Sequence, residues 1–309
     1  MIESSSGVAL EGIAAERTAA RPSAWRRHRM LWAGLAIVAF WVVVAVGAPL
    51  FSPYAPNAPD MAARLAGPSA AHLLGTDEYG RDILTRIFYG ARLSMLVAVS
   101  STFLALAAGV PLGLFAGYRA GLAAEAVMRV MDIFLAFPSL VLALAIGAAI
   151  GPGLTGEVMA ITLVTIPVFA RQAQAQTAAI KNLLYVESAR AAGSGFWRLV
   201  RRHLLPNMFA PVLVVATLNL GFAVLTGASL SFLGLGVQPP TPEWGSMVSD
   251  GSQYLVSGQW WTSLFPGLAI MSVVFAFNVA GDGLRDFMDP RARHRAGGAG
   301  EAEPEAVAE

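Results

Sequence analysis

The residues best suited to chemistry lie between positions 181 and 206, in a polar, basic segment that separates two strongly apolar stretches. Glu187 and Arg190 are three residues apart, so on a helix they share a face and can form a weak ion pair. Gly193 and Gly195 follow at the point where this helix is expected to end. The pattern predicts a short helix, a glycine break and a second short helix.

The second short helix is predicted to carry an apolar face and a basic face. The apolar face has helical spacing and consists of Phe196, Leu199, Val200 and His203. The basic face consists of Arg198, Arg201 and Arg202. Pro206 is predicted to break this helix, because proline has no backbone N–H. Two uses of the segment remain open: a connector whose arginines reach water, or a docking surface for a cytoplasmic protein.

A second charged segment occupies residues 74–82 and precedes an apolar, periodic stretch. Thr76 can cap a helix there, and the acidic residues after it suit the positive N-terminal end of a helix dipole. We expect an amphipathic helix at the outer membrane surface, where it contacts a partner protein or packs on the bundle. Its apolar face consists of Ile83, Leu84, Ile87 and Phe88. The charges expected to pair with one another or with a partner subunit are Asp77, Arg81 and Asp82.

Several kinds of chemistry are absent from the sequence. It contains no cysteine, which excludes disulfides and cysteine-ligated metals. No H-E-x-x-H, G-x-S-x-G or G-x-x-x-x-G-K-[ST] motif occurs, so we predict no enzyme activity and no ATP hydrolysis by this chain. The net charge of +1 gives no indication of a nucleic-acid partner. The histidines are scattered and predict no metal site: His28, His72, His203 and His294.

The composition is that of an all-α membrane protein that crosses the bilayer several times. Of 309 residues, 56% are hydrophobic and 13% are charged, whereas soluble domains carry about 25% charged residues. Six apolar stretches are long enough to span a membrane, which takes about 20 residues. The fourth is interrupted by Arg171, so its helix is predicted to continue past this residue into the cytoplasm. The stretches are 30–51, 93–118, 133–156, 158–180, about 207–242 and 260–280.

The distribution of Lys and Arg predicts that both termini are cytoplasmic. In this topology all but four of the 21 Lys and Arg residues lie on the inner side. The four on the outer side are Arg64, Arg81, Arg86 and Arg92. The first span is expected to stay uncleaved, because its apolar stretch exceeds the usual signal-peptide length of about 7–15 residues. The expected segments are a mostly disordered tail, 1–29; a first span, 30–51; an outer segment, 52–92; a core of five spans with the 181–206 loop, 93–284; and a tail, 285–309.

Few ionisable residues are expected within the spans. Asp132, Arg171 and Asp282 lie near the membrane interface, where they can pair or reach water. No pair of carboxylates is evident at the midplane of the membrane. Asn219 and Asn278 either line a path or bond between helices, and the sequence leaves both open.

The polar segment has a distinctive internal spacing. Residues 187–189 are Glu-Ser-Ala, Gly193 follows three residues later, and nine more precede His-Leu-Leu-Pro, which ends at Pro206. This spacing resembles the EAA loop of permease subunits in binding-protein-dependent ABC importers. Ser188 stands where the usual pattern has alanine, and His203 where it has isoleucine. The ending Arg-His-Leu-Leu-Pro-Asn is typical of the peptide and nickel branch.

Four further motifs resemble the C-type permease subunit of dipeptide, oligopeptide and nickel importers. They occur in the family order, and the resemblance covers residues from about 26 to 293. The motifs are LGTDEYGRD at 74–82, MDIFLAFPS at 131–139, LSFLGLGVQPPTPEWG at 230–245 and FNVAGDGLRDFMDP at 277–290.

The resemblance implies a type I ABC importer permease fold in the bacterial inner membrane. It implies four partner subunits besides membrane lipid: a B-type permease subunit, two ABC ATPases and an extracytoplasmic substrate-binding protein. ATP and Mg would bind the ATPases, and this chain would bind no cofactor. The expected cargo is di- or oligopeptides, with nickel complexes, glutathione-like peptides or sugars as alternatives. A stand-alone secondary transporter is a distant alternative, for which no inverted repeat is evident.

The resemblance also implies roles for individual residues. It places the ATPase-coupling loop at Glu187, Ser188, Ala189, Arg190, Gly193, Arg198, His203 and Pro206. It places an outer-surface motif at Gly75, Thr76, Asp77, Gly80, Arg81 and Asp82. Pro138 is expected to kink the third span, as a gate or as a packing feature. Trp244, with Trp260 and Trp261, is expected either to anchor the protein at the membrane interface or to contribute to a lid.

Overall fold

The computed structural model describes the backbone of residues 24–288 and the side chains of residues 29–288. Residues 1–23 of the predicted N-terminal tail and residues 289–309 of the predicted C-terminal tail therefore lie outside the described residues, whereas residues 24–29, predicted as tail, already belong to the first helix. The side chains of the basic tail residues apart from Arg29 and Arg285 are likewise not covered: Arg17, Arg21, Arg26, Arg27, His28, Arg291, Arg293, His294 and Arg295. The described chain is helical, and its β-structure is limited to one isolated bridge between Thr76 and Asp82.

Ten α-helices form the described part of the chain. A 3-10 turn, Met61–Ala63, precedes α2, and a π turn, Val200–Leu204, joins α7 to α8. The α-helices are α1 Ala24–Phe51, α2 Ile83–Tyr118, α3 Leu122–Ala136, α4 Ser139–Ile150, α5 Leu154–Ile180, α6 Leu184–Ala191, α7 Phe196–Leu199, α8 Leu205–Phe232, α9 Trp244–Ser252 and α10 Trp261–Met288.

Five helical stretches are long and apolar enough to cross a membrane. They are Arg29–Phe51 of α1, α2, α5, the continuous stretch Phe196–Phe232 and α10. The helices α3 and α4 meet this criterion only together, and they are bent by 98° at the break between them. The six predicted spans thus correspond to five straight stretches and one bent pair, which makes six only if the pair counts as one span.

The break between α3 and α4 has a local cause. The apolar stretch 133–156 predicted one span, but the helix ends at Ala136 and Phe137 is extended, with φ −90° and ψ 144°. Proline disfavours helical geometry in the residue before it, and Pro138 follows directly. Pro138 then precedes the first residue of α4.

The helix predicted at the outer surface is instead the beginning of α2. This helix starts at Ile83, ten residues before the predicted start of the second span, and has 36 residues, or about 54 Å. Asp82 caps it by accepting a hydrogen bond from the backbone N–H of Thr85 at 2.8 Å. Thr76 caps no helix, because it lies in the preceding loop. Ile83 and Ile87 are buried, so the early turns of α2 are part of the bundle.

The predicted break at Pro206 is not present. The chain stays helical from Phe196 to Phe232. Within the π turn, the backbone N–H of Leu205 donates to the carbonyl of Val200, five residues earlier. Pro206 follows in the first turn of α8, where a missing N–H is well tolerated.

The bundle is held together by close helix crossings. The most extensive contact joins α2 and α5, and α10 packs on α1 and α8. Gly109, Gly113 and Gly117 of α2 face α5. A Cβ atom at Gly113 would lie 2.1 Å from the carbonyl oxygen of Ala170, so a side chain there would force the helices apart.

Candidate functional site

The 181–206 loop has the predicted sequence of helix, glycine break and helix. After α6, Gly193 adopts φ +82°, a left-handed conformation that favours glycine. Its N–H donates to the carbonyl of Arg190 at 3.0 Å, and the N–H of Ser194 donates to that of Ala189 at 3.1 Å. Gly195 then precedes α7. The glycines therefore set the angle between two short helices.

One side of this loop is buried in the helix bundle. Val186 is fully buried, and so are the apolar residues predicted at Leu199 and Val200. They pack in one cluster with Leu114 of α2 and with Ala173 and Ile180 of α5, together with Leu204 and Met208. His203, predicted on the same face, is half-buried and lies beside the ring of Tyr185, with ring centroids 5.8 Å apart.

The other side of the loop is exposed and mixes charged with large apolar residues. Glu187, Ser188, Arg190 and Arg198 are exposed, whereas Ala189 is half-buried. Leu184 is 81% exposed and Trp197 is 72% exposed. No ion pair among the described residues includes Glu187, so the weak pair with Arg190 that the spacing allows is not formed. This exposed side is the loop surface: Leu184, Glu187, Ser188, Arg190, Trp197 and Arg198.

The 74–82 segment lies at the end of the bundle opposite the 181–206 loop. Asp77 accepts hydrogen bonds from the backbone N–H groups of Tyr79 and Arg81, both at 2.9 Å, and from Arg81 Nε at 2.6 Å. The predicted pairing of Asp77 with Arg81 is therefore confirmed. Asp82 pairs instead with His72, at 3.0 Å from its Nδ1.

This segment is buried rather than displayed. Thr76, Asp77, Arg81 and Asp82 are each at most 8% exposed. Gly75 and Gly80 have positive φ angles, and a Cβ at Gly80 would lie 1.7 Å from the carbonyl oxygen of Asp60. The hydroxyl of Thr76, the carboxylates of Asp77 and Asp82 and the two glycines thus fold residues 74–82 into a compact loop, which we call the clasp.

The clasp extends to neighbouring loops through Arg86 of α2. Its Nη1 donates to the carbonyls of Pro56 at 3.1 Å and Pro240 at 3.3 Å. Two acidic groups lie beside this cluster, and burial raises the pKa of Glu78 and that of Asp250 above their ordinary values. The arrangement joins three segments that are distant in sequence.

Trp244 is not an interfacial anchor. Its side chain is fully buried, its indole N–H donates to the carbonyl of Ile87 at 2.9 Å, and its ring meets Trp41 edge-on at a centroid distance of 4.9 Å. Trp260, by contrast, is 48% exposed. Trp244 therefore fixes the start of α9 against α2 and α1.

Two of the three ionisable residues expected to pair or to reach water form an ion pair with each other near the loop end. Arg171 of α5 pairs with Asp132 of α3, and its Nη1 also donates to Gln174 at 3.1 Å. They line an open cleft of about 300 Å³ that also contains Arg119 and Arg129. Pro138 is exposed beside the α3–α4 bend; its proposed role as a gate stays a prediction.

Sequence reasoning missed two buried carboxylates, Glu157 and Glu243. Glu157 separates two apolar stretches, which suggests a boundary, although it is 1% exposed within α5. Glu243 is 2% exposed and caps α9 by accepting from the backbone N–H of Ser246 at 2.9 Å. A lone acid between apolar stretches was the available signal. Both carboxylates lie at the end of the bundle rather than at its midplane, so the expectation of no midplane pair is not affected.

The chain matches two described protein families. Residues 109–294 match the family described as binding-protein-dependent transport system inner membrane component. Residues 23–68 match the N-terminal TM domain of oligopeptide transport permease C.

Relatives resemble the chain over most of its length. The dipeptide transport system permease protein DppC of Alkalihalophilus pseudofirmus is 45% identical over 268 residues, covering 86% of this chain and 87% of the relative. The di/tripeptide transport system permease protein DppC of Pseudomonas aeruginosa is 45% identical over 269 residues, covering 85% and 88%. The glutathione transport system permease protein GsiD of Pectobacterium atrosepticum is 42% identical over 272 residues, covering 86% and 90%.

A solved structure shares the fold. The inward-facing MetNI methionine ABC transporter matches with a TM-score of 0.54 at 20% identity, covering 67% of this chain and 98% of that chain. This likeness concerns the fold alone. The family match over more than half of the chain, together with relatives at 45% identity, shows that the chain belongs to the family of binding-protein-dependent transport system inner membrane components.

Proposed function

We propose that this chain is one transmembrane half of an ATP-driven importer of di- or oligopeptides and that the loop surface docks onto an ATPase subunit. The observation that carries this proposal is the two-sided 181–206 loop. One side is buried in the bundle, and the other exposes Leu184 and Trp197 beside charged residues. Exposed apolar side chains rimmed by charge are typical of a protein interface.

The buried side of the loop explains how movement of a docked ATPase would be transmitted to the helix bundle. Its apolar residues pack on Leu114 of α2, on Ile180 of α5 and on Met208 of α8. A docked ATPase that moves the loop therefore moves the ends of three helices together. Transport needs two arrangements of the bundle that the ATPase state favours differently. The ATPases would bind ATP and Mg, and this chain would form one half of the translocation path.

The assembly and orientation follow from the same proposal. The loop end of the bundle, with both chain termini, faces the cytoplasm across a bacterial inner membrane, and the α3–α4 pair completes a sixth span. A B-type permease forms the other half of the path. An extracytoplasmic binding protein delivers cargo at the opposite end. Relatives whose names specify dipeptide and di/tripeptide transport support a peptide cargo.

Glutathione is the second candidate cargo, because one relative at 42% identity is named for it. Both candidates are small peptides, so the same path geometry serves either. Reconstituted complex with its cognate binding protein should import labelled dipeptide and oligopeptide in preference to glutathione or a nickel complex. Import of glutathione or nickel alone would replace the peptide assignment while leaving the importer assignment intact.

The coupling role is tested by a charge reversal in the loop surface. Glu187→Lys should leave the chain in the membrane and assembled, but it should lower substrate-stimulated ATPase activity at least about tenfold, the effect of about 1.4 kcal/mol of lost coupling. Glu125→Lys, at an exposed position of α3, is the matched control and should retain full stimulation. Full stimulation in Glu187→Lys would exclude the loop surface as the coupling site.

A further inference from the structure

Two buried carboxylates lie at the end of the bundle opposite the 181–206 loop, without a basic partner. Glu157 belongs to the first turn of α5 and is 1% exposed, and Glu243 directly precedes α9 and is 2% exposed. No ion pair among the described residues includes either of them. An isolated buried charge is very unfavourable, so such groups usually become neutral.

The two carboxyl groups connect four helices through hydroxyl and backbone donors. Ser94 of α2 donates to Glu243 Oε1 at 3.0 Å, and Ser231 of α8 donates to Glu157 Oε1 at 3.4 Å. The Glu157 carboxylate also lies against Gly227 of α8, where a Cβ would come within 2.8 Å of Oε1. The pair therefore joins α2, α5, α8 and the start of α9.

One carboxylate oxygen is left without a partner. Glu157 Oε2 is buried and has no hydrogen-bond partner within 3.5 Å among the described residues, and the backbone of Val237 lies beside the same carboxyl group. The titratable group that faces Glu157 is Glu243; the other polar side chains at the pair, Ser94 from α2 and Ser231 from α8, carry no charge. Two ionised carboxylates this close together in a buried site would repel each other. The arrangement suits a carboxylic acid that carries a proton.

We propose that Glu157 and Glu243 form a proton-binding site and that the bound proton keeps this end of the bundle closed. Loss of the proton would place two like charges in an apolar setting, and separation of the helices would let water reach them. This proposal concerns how the helices of this chain close at the end opposite the 181–206 loop, and it does not depend on the identity of the cargo.

The sign of the pH dependence follows from linkage. Burial raises the pKa of Glu243 above its ordinary value. The closed arrangement therefore holds protons that an open, hydrated arrangement releases. The stability that the pair contributes is complete below the ordinary glutamate pKa of about 4.3 and is lost as the pH rises through the raised value.

Infrared spectroscopy detects the bound proton directly. At about pH 7, well above the ordinary glutamate pKa of about 4.3, purified full-length chain should still show the carbonyl stretch of a protonated carboxylic acid. Glu157→Gln should lose this band, and Glu125→Gln, at an exposed position of α3, should retain it. Absence of the band in the parent chain, or its persistence in both Glu157→Gln and Glu243→Gln, would overturn the proposal.

A reporter cysteine tests whether the proton controls closure. The sequence contains no cysteine, so Ile161→Cys, a buried position one turn after Glu157, gives a single labelling site. Its maleimide labelling rate is divided by that of Thr241→Cys, an exposed position, which corrects for ionisation of the thiol near its pKa of about 8.5. The corrected rate should rise at least about fivefold as the pH passes through the raised value.

The neutral variants decide the outcome of the labelling experiment. Glu157→Gln and Glu243→Gln mimic the protonated groups, so each should keep the corrected labelling rate low and nearly independent of pH. A corrected rate that does not change with pH in the parent chain would contradict the proposal. An equal rise in both glutamine variants would also contradict it. If one variant fails to insert in the membrane, the other one supplies the test.

Discussion

At the scale of single residues, the tryptophans near the end opposite the 181–206 loop have distinct environments. Trp244 is fully buried, and its N–H donates to the carbonyl of Ile87 at 2.9 Å. Gly90 leaves room for its indole, since a Cβ there would lie 3.0 Å from Cδ1. Trp260 is half-exposed and meets Trp261 edge-on. The same residue type therefore serves as core at one position and as surface at another.

Replacement of Trp244 should destabilise the chain strongly. Trp244→Ala removes a fully buried side chain, and such substitutions cost about 3–5 kcal/mol, because a cavity remains. Thermal unfolding in detergent should show a clear decrease in Tm, whereas Trp260→Ala should change Tm little. Equal, small shifts for both variants would contradict the structural role assigned to Trp244.

The partners and burial of individual side chains were the features least predictable from the sequence. Pairing of Asp77 with Arg81 was expected because the two residues are close in sequence. Pairing of Asp82 with His72 was not expected, since a loop of ten residues brings them together. Glu157 and Glu243 were missed because their proximity depends on how α5 and the start of α9 pack, which no local pattern encodes.

At the scale of helices, the crossing of α2 and α5 depends on small residues. Gly109, Gly113 and Gly117 lie on one face of α2 and allow backbone atoms of α5 to approach. In a membrane, close packing of this kind is a main source of helix association. This crossing therefore fixes the position of the loop end of the bundle relative to the opposite end.

Gly113→Ala should weaken this crossing. The added methyl group would lie 2.1 Å from the carbonyl oxygen of Ala170, and overpacking of this kind costs about 1–3 kcal/mol. Gly267→Ala of α10 is the matched control, because no neighbouring element comes within 4 Å of the position that its Cβ would occupy. Thermal unfolding should show a lower Tm for Gly113→Ala only. A Tm unchanged by both substitutions would show that the helices can separate without cost.

The positions of the helices were largely predictable, and their ends were not. Apolar stretches indicated the five candidate spans and the bent pair, and α5 continues past Arg171 to Ile180, as expected. The start of α2 was misplaced because Arg86 and Arg92 suggested a surface, yet both donate to backbone carbonyls of distant segments. The helix through Pro206 was missed because its π turn is a tertiary adjustment that proline alone does not indicate.

At the scale of the whole molecule, the two ends of the bundle differ, and this difference predicts an orientation in the membrane. The described helices place the 181–206 loop at one end and the 235–260 region at the other. The Lys and Arg distribution favours a cytoplasmic loop end. The basic tails that contribute to this bias lie partly outside the described residues, so an experiment on the intact chain is the direct approach.

Labelling of single cysteines should report this orientation. In intact cells, Thr241→Cys should react with an impermeant maleimide, because the residue is exposed at the end opposite the loop. Ala192→Cys, exposed beside the glycine break, should react only after the membrane is opened. The reverse pattern would invert the topology, and with it the proposed docking of the ATPase at the loop surface.

The 98° bend between α3 and α4 has a further mechanical consequence. The first arm of this elbow rests on α2 and α5, whereas the second rests on α5 and α8. If α8 shifts relative to α2, the two arms follow different neighbours. The elbow angle at Phe137 and Pro138 can then change while the hydrogen bonds within each arm stay intact. A relative movement of two distant helices is thereby converted into the opening or closing of a single joint.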